Sequence, residues 1–221
     1  MDATIGAKLV EGVNVLGLQV TSGQLQSLLS YMDLLKRWNK TYNLTALKTD
    51  EQILAHHILD SLAVIIPLRE RFASLETLRG LDVGSGGGLP GVVLAIMNPN
   101  WQITCIDAVE KKTAFIMQVA GVLGLKNLKS KHTRIEAYDI EPVDMVISRA
   151  FASLADFANL AGQHVAATGS LVAMKGHYLE DEVQELNAQS NWRVEQYLPI
   201  TVPQLDAERC LIYLKPNTKG N

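Results

Sequence analysis

The stretch Leu81-Asp82-Val83-Gly84-Ser85-Gly86-Gly87-Gly88-Leu89-Pro90-Gly91 decides the fold. The residues leading into it, Thr77 to Val83, read as a short strand. Pro90 to Met97 reads as a helix, with the proline in its first turn, where a missing N–H costs nothing. Glycines between a strand and a helix allow a tight turn and let a ligand come close to the backbone. In an open parallel sheet, ligands bind beyond the carboxyl ends of the strands. Two ligand classes compete for such a turn. Gly86-Gly87-Gly88-Leu89-Pro90-Gly91 has the spacing of a dinucleotide fingerprint, which would seat a pyrophosphate on the helix N-terminus of a nicotinamide-dependent oxidoreductase. That match begins late in the turn, and an acid, Asp82, stands two residues before Gly84.

Downstream of the turn, strands alternate with helices. WQITCIDA is the second strand, Lys111 to Leu123 an amphipathic helix ended by Gly124, and Lys129 to Arg134 a weaker third strand. VDMVIS is a fourth strand, almost wholly apolar, as expected of one covered on both faces. Ser153 to Val165 reads as helix, SLVAMKG as the fifth strand and Tyr178 to Ala188 as a further helix. WRVEQYLPI and ERCLIYLK close the chain with only a loop between them, which implies an antiparallel hairpin. The expected fold is α/β, a doubly wound, mostly parallel seven-stranded sheet with an antiparallel C-terminal hairpin. Upstream, residues 1–72 read as a helical extension preceding a sheet domain over 73–221. Thr21 and Gln24 fit a capping box, and Leu25, Leu28, Leu29, Met32, Leu35 and Trp38 repeat at helical spacing. A second helix is expected from Asp50 as N-cap to Pro67 as its stop, after a polar connector, KTYNLTALK.

Composition narrows the class. The chain has 221 residues, 48% hydrophobic and 19% charged, ordinary for one globular domain with an extension. No apolar window is long enough to suggest a membrane span, and the N-terminus lacks an export signal, so a cytoplasmic location is expected; a monomer is expected as well. Two cysteines outside any CxxC argue against a metal site of zinc-finger type and against a disulfide framework. The net charge of −3 counts mildly against nucleic acid as a partner. Distribution matters more. Lys36, Arg37, Lys40 and Lys48 lie in an acid-free stretch, as do Lys111, Lys112, Lys126, Lys129, Lys131 and Arg134. Each stretch is either a phosphate-contacting segment or an ordinary solvated face.

Asp82-x-Gly84-x-Gly86-x-Gly88 resembles the first motif of class I S-adenosylmethionine methyltransferases, and the closing antiparallel hairpin is similar to theirs. The resemblance makes S-adenosylmethionine the expected cofactor, with Asp82, Gly84, Gly86 and Gly88 of the turn as binding residues for its amino-acid part. Asp107 ends the second strand, placed to accept from ribose hydroxyls or to cap the next helix. DVGSGGGLPG, IDAVEKK, HTRIEAY, VISRAFASL, VAMKG and LDAERCLIYLK together resemble one family, the bacterial 16S ribosomal RNA guanine-N7 methyltransferase G family, also known as glucose-inhibited division protein B. The likeness runs over roughly residues 20–215, RWNKTYNLTAL and HHILDSL included. It implies methylation of guanosine 527 at N7, in the 530 loop of 16S ribosomal RNA within the small subunit. It also implies cofactor contacts at Gly84, Leu89 and Arg149, with Ile135 and Glu136 flanking the adenine. Gly87 replaces a proline common in the family, which loosens the turn without closing it.

Arg149 also follows from position, just past the carboxyl end of VDMVIS. There it can pair with a cofactor carboxylate or an RNA phosphate, or form a rim salt bridge with Asp82 or Asp144. Lys175 holds the equivalent place after the next strand, and Arg209 is a third candidate for facing RNA. Asn43, Thr45, His57, Asp60 and Ser61 are the odd polar residues of the extension, with His57 and Asp60 expected mainly to brace it against the sheet. No nucleophile–base pair or carboxylate pair stands out, so no general acid or base is expected. An RNA- or ribosome-binding protein with a vestigial pocket is the non-enzymatic alternative.

Overall fold

The computed structural model describes residues 3–178 and 180–217. The extension opens with α1 (Ala3–Val15) and α2 (Ser22–Tyr42). Thr21 and Gln24 form the predicted capping box, and Gln24 also donates to the carbonyls of Ile96 and Met97. Asn43, in the left-handed region with φ 49°, ends α2. The next helical run consists of α3 (Asp50–Ile53), a π-helical turn (Leu54–Leu59), α4 (Asp60–Leu62) and α5 (Ile65–Arg71).

That run differs from expectation in three ways. Its cap is Thr49, not Asp50, with Gln52 closing a second capping box. Pro67 does not stop it, because α5 restarts at Ile65 and the proline falls in its first turn, where N–H groups have no helical partner. The stretch Asp50–Arg71 also has the length and mean hydropathy, 1.2, of a membrane span, but 72% of that window is buried. Packing against the sheet accounts for its apolar character.

The sheet contains β1 (Leu78–Val83), β2 (Trp101–Asp107), β3 (Leu128–His132), β4 (Val143–Ser148), β5 (Val165–Lys175), β6 (Trp192–Ile200) and β7 (Arg209–Pro216). Its helices are α6 (Gly91–Met97), α7 (Glu110–Leu123), α8 (Leu154–Ala161) and α9 (Glu180–Gln189). The strand order is β3-β2-β1-β4-β5-β7-β6. β1 to β5 are parallel, and β7 runs antiparallel to both β5 and β6. Order reverses between β1 and β4, so the carboxyl ends of these two strands mark the switch point. β5 begins at Val165, longer than SLVAMKG suggested, because the helix predicted to reach Val165 ends at Ala161 and gives way to one 3₁₀ turn. Of the helix predicted over Tyr178 to Ala188, position 179 lies outside the described residues, and α9 runs one residue beyond its end.

Two apolar layers sandwich the sheet. One packs α1, α2 and the Asp50–Arg71 run with α6 and α7, in a continuous cluster from Ile5 to Tyr213. The other packs α8 and α9 through Phe157, Leu154 and Leu186. Residues of the extension and of the sheet therefore share one core, and Tyr31 of α2 lies 6.3 Å from Phe115 of α7, ring to ring. This packing brings α2 and the π-helical turn to the switch point.

Candidate active site

The glycine turn sits at the carboxyl end of β1. The Ile106 carbonyl accepts from the N–H groups of Gly84 and Ser85 and from the Ser85 hydroxyl. The Ser148 hydroxyl donates to the Val83 carbonyl at 2.7 Å, tying β4 to β1. Gly84 has φ 68°, and a Cβ there would come 2.8 Å from the Cβ of Ala150. A Cβ on Gly91 would come 2.3 Å from Cys105 Sγ, so helix and strand meet there with no room for a side chain.

Two clefts open on either side of Gly84. The first, about 300 Å³, runs from Gly84 past Asp107 to Ile135 and Glu136, with Ile106, Phe151 and Leu160 as apolar wall. The second, about 200 Å³, is walled by Gly84 to Gly87, Leu89 and Arg149, and by Leu35, Leu44, Thr45 and His57 of the extension. An added Cβ at Gly86 would meet nothing within 4 Å, so the turn faces open space at that point.

Several expected ligand residues stand elsewhere than the sequence suggested. Asp82 is fully buried, and its carboxylate accepts from the Gly91 N–H at 2.8 Å. It braces the turn from behind and has no exposed surface for a ligand. Burial pushes its carboxyl up to about 7, against the lowering pull of the Gly91 N–H and Arg149. Gly88 likewise faces Val92 and Ile116, not a cleft. Asp107 keeps both readings. It accepts from the N–H groups of Gly86 and Val109, each at 2.9 Å, and lines the first cleft. Each carboxylate oxygen has a second lone pair for a further donor.

Arg149 lines the second cleft, but neither Asp82 nor Asp144 is its partner. Asp144 takes the Arg79 N–H, whereas Arg149 donates to Asp60 at 2.9 Å and to the His56 carbonyl. Arg209 donates to the other oxygen of Asp60 at 2.7 Å, so its charge is already met within the protein. Asp60 is 2% exposed and its two arginines about one quarter. Lys175 is also occupied, by the Ala152 carbonyl and Glu182. A buried acid needs partners, so Asp60 within the apolar ILDSLAVII is the signal for this clamp, though not for the identity of its arginines.

His57, on the π-helical turn, bonds Thr45 at 2.8 Å. Burial, aided by the Arg149 charge, lowers it to about 4, so it is neutral at physiological pH. Sequence reasoning missed Tyr31. Its hydroxyl donates to the Gly87 carbonyl at 2.6 Å, so α2 holds the turn directly. Burial raises the phenol well above its usual range and keeps that proton in place.

The turn is ill suited to a pyrophosphate. The N–H groups of Gly88 and Leu89 go to the Ser85 carbonyl, that of Gly91 to Asp82 and that of Val92 to the Gly88 carbonyl, while Pro90 has none. The helix N-terminus a dinucleotide would need is already satisfied.

Comparison with known proteins points the same way. Among solved structures, a class I S-adenosylmethionine-dependent methyltransferase from Listeria monocytogenes superposes with a TM-score of 0.60 at 12% identity, covering 88% of this chain and 70% of that one. An S-adenosylmethionine-dependent methyltransferase from Aquifex aeolicus gives 0.55 at 18% identity, covering 74% and 92%. At these identities the likeness concerns the fold. The ribosomal RNA small subunit methyltransferase G of Bordetella pertussis is 52% identical over 217 residues, 97% of this chain and 94% of that protein. Its counterpart in Acidovorax sp. (strain JS42) is 48% identical over 216 residues, 94% of each. A family model for rRNA small subunit methyltransferase G matches residues 24–212. With the methyltransferase sheet order, the two clefts at Gly84 and this match over almost its whole length, the chain belongs to the rRNA small subunit methyltransferase G family.

Proposed function

We propose that this protein transfers the methyl group of S-adenosylmethionine to N7 of a guanosine in the 530 loop of 16S ribosomal RNA, guanosine 527. The observation that carries the cofactor assignment is the pair of clefts meeting at Gly84 on the carboxyl edge of the sheet. The donor set fits a sulfonium nucleoside. Asp107 offers lone pairs for ribose hydroxyls, and Ile106, Ile135 and Phe151 offer apolar surface for adenine beside Glu136. Gly84 and Gly86 admit the chain that links the two halves, and Arg149 supplies positive charge for an amino-acid carboxylate. The bound cofactor supplies an electrophilic methyl on a cationic sulfur.

Guanine N7 has an in-plane lone pair and no proton to lose at neutral pH, so the protein has no base to provide. Its task is alignment and exclusion of water. The Asp60 clamp fixes Arg149 in direction, and neutral His57 with Thr45 closes the extension side without adding a competing charge. N7 lies in the deep groove of an RNA helix, so the target base must be unpaired or splayed out. Exposed Lys40 and Lys48 on one side, and Lys131 and Arg134 at the carboxyl end of β3 on the other, serve as phosphate contacts, whereas Lys126 and Lys129 stand toward the opposite edge of the sheet. Lys36 is excluded from that set, being paired with Asp50. The second cleft takes its walls from both the extension (1–72) and the sheet domain (73–221), which supports the two working as a unit.

The test is incubation with labelled S-adenosylmethionine and 16S RNA from small subunits that lack the modification, followed by mapping of the labelled base. A single N7-methylguanine in the 530 loop is expected. Label at another atom or another loop would refute the substrate assignment.

A further inference from the structure

A third and larger cleft, about 640 Å³, opens on the same edge of the sheet, between the ends of β5 and β6 and the start of β7. Tyr178 and Tyr197 stand in its wall with ring centroids 4.8 Å apart and planes inclined at 57°. They are 37% and 44% exposed. Exposed aromatic rings in a cleft offer a face on which a flat ligand can stack. Arg209 lines the same cleft and, through Asp60, is linked to Arg149 in the cleft beside Gly84. β7 is two strands and β6 three strands beyond β4 in the sheet order, so this cleft lies about 12–17 Å from the switch point between β1 and β4. That separation suits a base one or two nucleotides from the reacting one.

The local charge selects what enters. Asp206, Glu208 and His177 also line the cleft, and the Arg209 charge is already met by Asp60. An RNA phosphate would face two carboxylates with no free cation among the lining residues. A nucleobase is neutral, stacks on aromatic rings, and can present N–H donors to a carboxylate that only accepts. Guanine offers such donors on its Watson–Crick edge.

We propose that the cleft bounded by Tyr178, Tyr197 and Glu208 seats an unpaired base of the RNA, one or two nucleotides from the methylated guanine, stacked on the face of one tyrosine with the other ring against it and its N–H edge toward Glu208. This rests on RNA being the substrate, as proposed above. The two tyrosines set substrate affinity and register, and take no part in cofactor binding.

The experiment compares the wild type with Tyr178→Ala/Tyr197→Ala and Tyr178→Phe/Tyr197→Phe, using 16S RNA from unmodified small subunits. The alanine pair should raise KM for RNA about 5- to 150-fold, the range of losing one base–aromatic stack. Affinity for S-adenosylmethionine should stay unchanged, which also reports an intact fold. The phenylalanine pair should keep near-wild-type KM, because the ring and not the hydroxyl does the stacking. The salt dependence of RNA binding should keep its slope in the alanine pair, since no phosphate contact is lost. An unchanged KM in the alanine pair, a phenylalanine pair as weak as the alanine pair, or a slope reduced by about one would each overturn the proposal. Absence of RNA methylation by the wild type would instead bring down the substrate assignment, and the proposal with it.

Discussion

On one side of Gly84 the cleft wall comes wholly from the sheet domain, through Ile106, Asp107, Ile135 and Phe151. On the other it is shared, with Leu35, Leu44, Thr45 and His57 reaching in from the extension to meet Arg149. The first cleft needs only strand ends and the short connections after them. The second exists because Tyr31, His57 and Asp60 each bond across a domain boundary that sequence grammar would draw near residue 72. The first cleft thus rests on the sheet domain alone, whereas the second depends on helices added before it. The extension is a structural part of the second cleft.

The strongest way to break this picture is at the shared residue. Gly84→Asp forces a side chain into a φ of 68° and against Ala150, and should reduce methyl transfer to an undetectable level while leaving a cooperative unfolding transition. Asp60→Ala attacks only the shared side. It strips two arginines of a buried partner, and both are exposed enough to regain some water, so a loss of about 3 kcal/mol is expected in urea unfolding. Arg149→Ala should cost less stability, about 1–2 kcal/mol, because Asp60 keeps Arg209, yet should lower methyl transfer on the order of 100-fold. Equal stability losses in these two variants would show that Asp60 does not unite the arginines.

Titration separates the turn from the extension. His57 is lowered from 6.5 to about 4, so the unfolded chain binds its proton more readily, and stability is lost as pH falls through that window. Asp82 is raised from 3.8 to about 7, so the folded chain binds the proton more readily, and stability is lost as pH rises through its window. Each contribution amounts to about 3–4 kcal/mol over its full range. The two oppose each other between about pH 4 and 6.5, and wild-type stability should be nearly level there. His57→Gln should then lose stability with rising pH, and Asp82→Asn should gain it, as followed by urea midpoints across that range. The smallest effect belongs to Tyr31→Phe. Loss of one hydrogen bond to the Gly87 carbonyl should cost about 1 kcal/mol and weaken S-adenosylmethionine binding several-fold by calorimetry.

Legibility in the sequence follows the same division. The strand–glycine–helix turn, the acid at Asp107 and the antiparallel closing hairpin are readable because each is local, its residues lying within a few positions of one another. Arg149 can be placed at the end of β4 because burial on both faces writes a strand as an apolar run. Its partner is not readable, since Asp60 lies 89 residues away and only packing of the extension brings it near. Pro67 misleads because a proline pattern does not distinguish the end of one helix from the first turn of the next. Asp82 misleads for another reason. A motif acid beside a ligand turn is equally suited to touch the ligand or to hold the turn, and only its complete burial decides.

The most direct measurement is a crystal structure of the protein with S-adenosylhomocysteine. The account predicts the nucleoside in the cleft of Asp107 and Ile135, with ribose hydroxyls on the Asp107 carboxylate. The amino-acid end should pass Gly84 into the cleft of Thr45, His57 and Arg149. A ligand lying wholly on one side of Gly84, or bound away from both clefts, would contradict it.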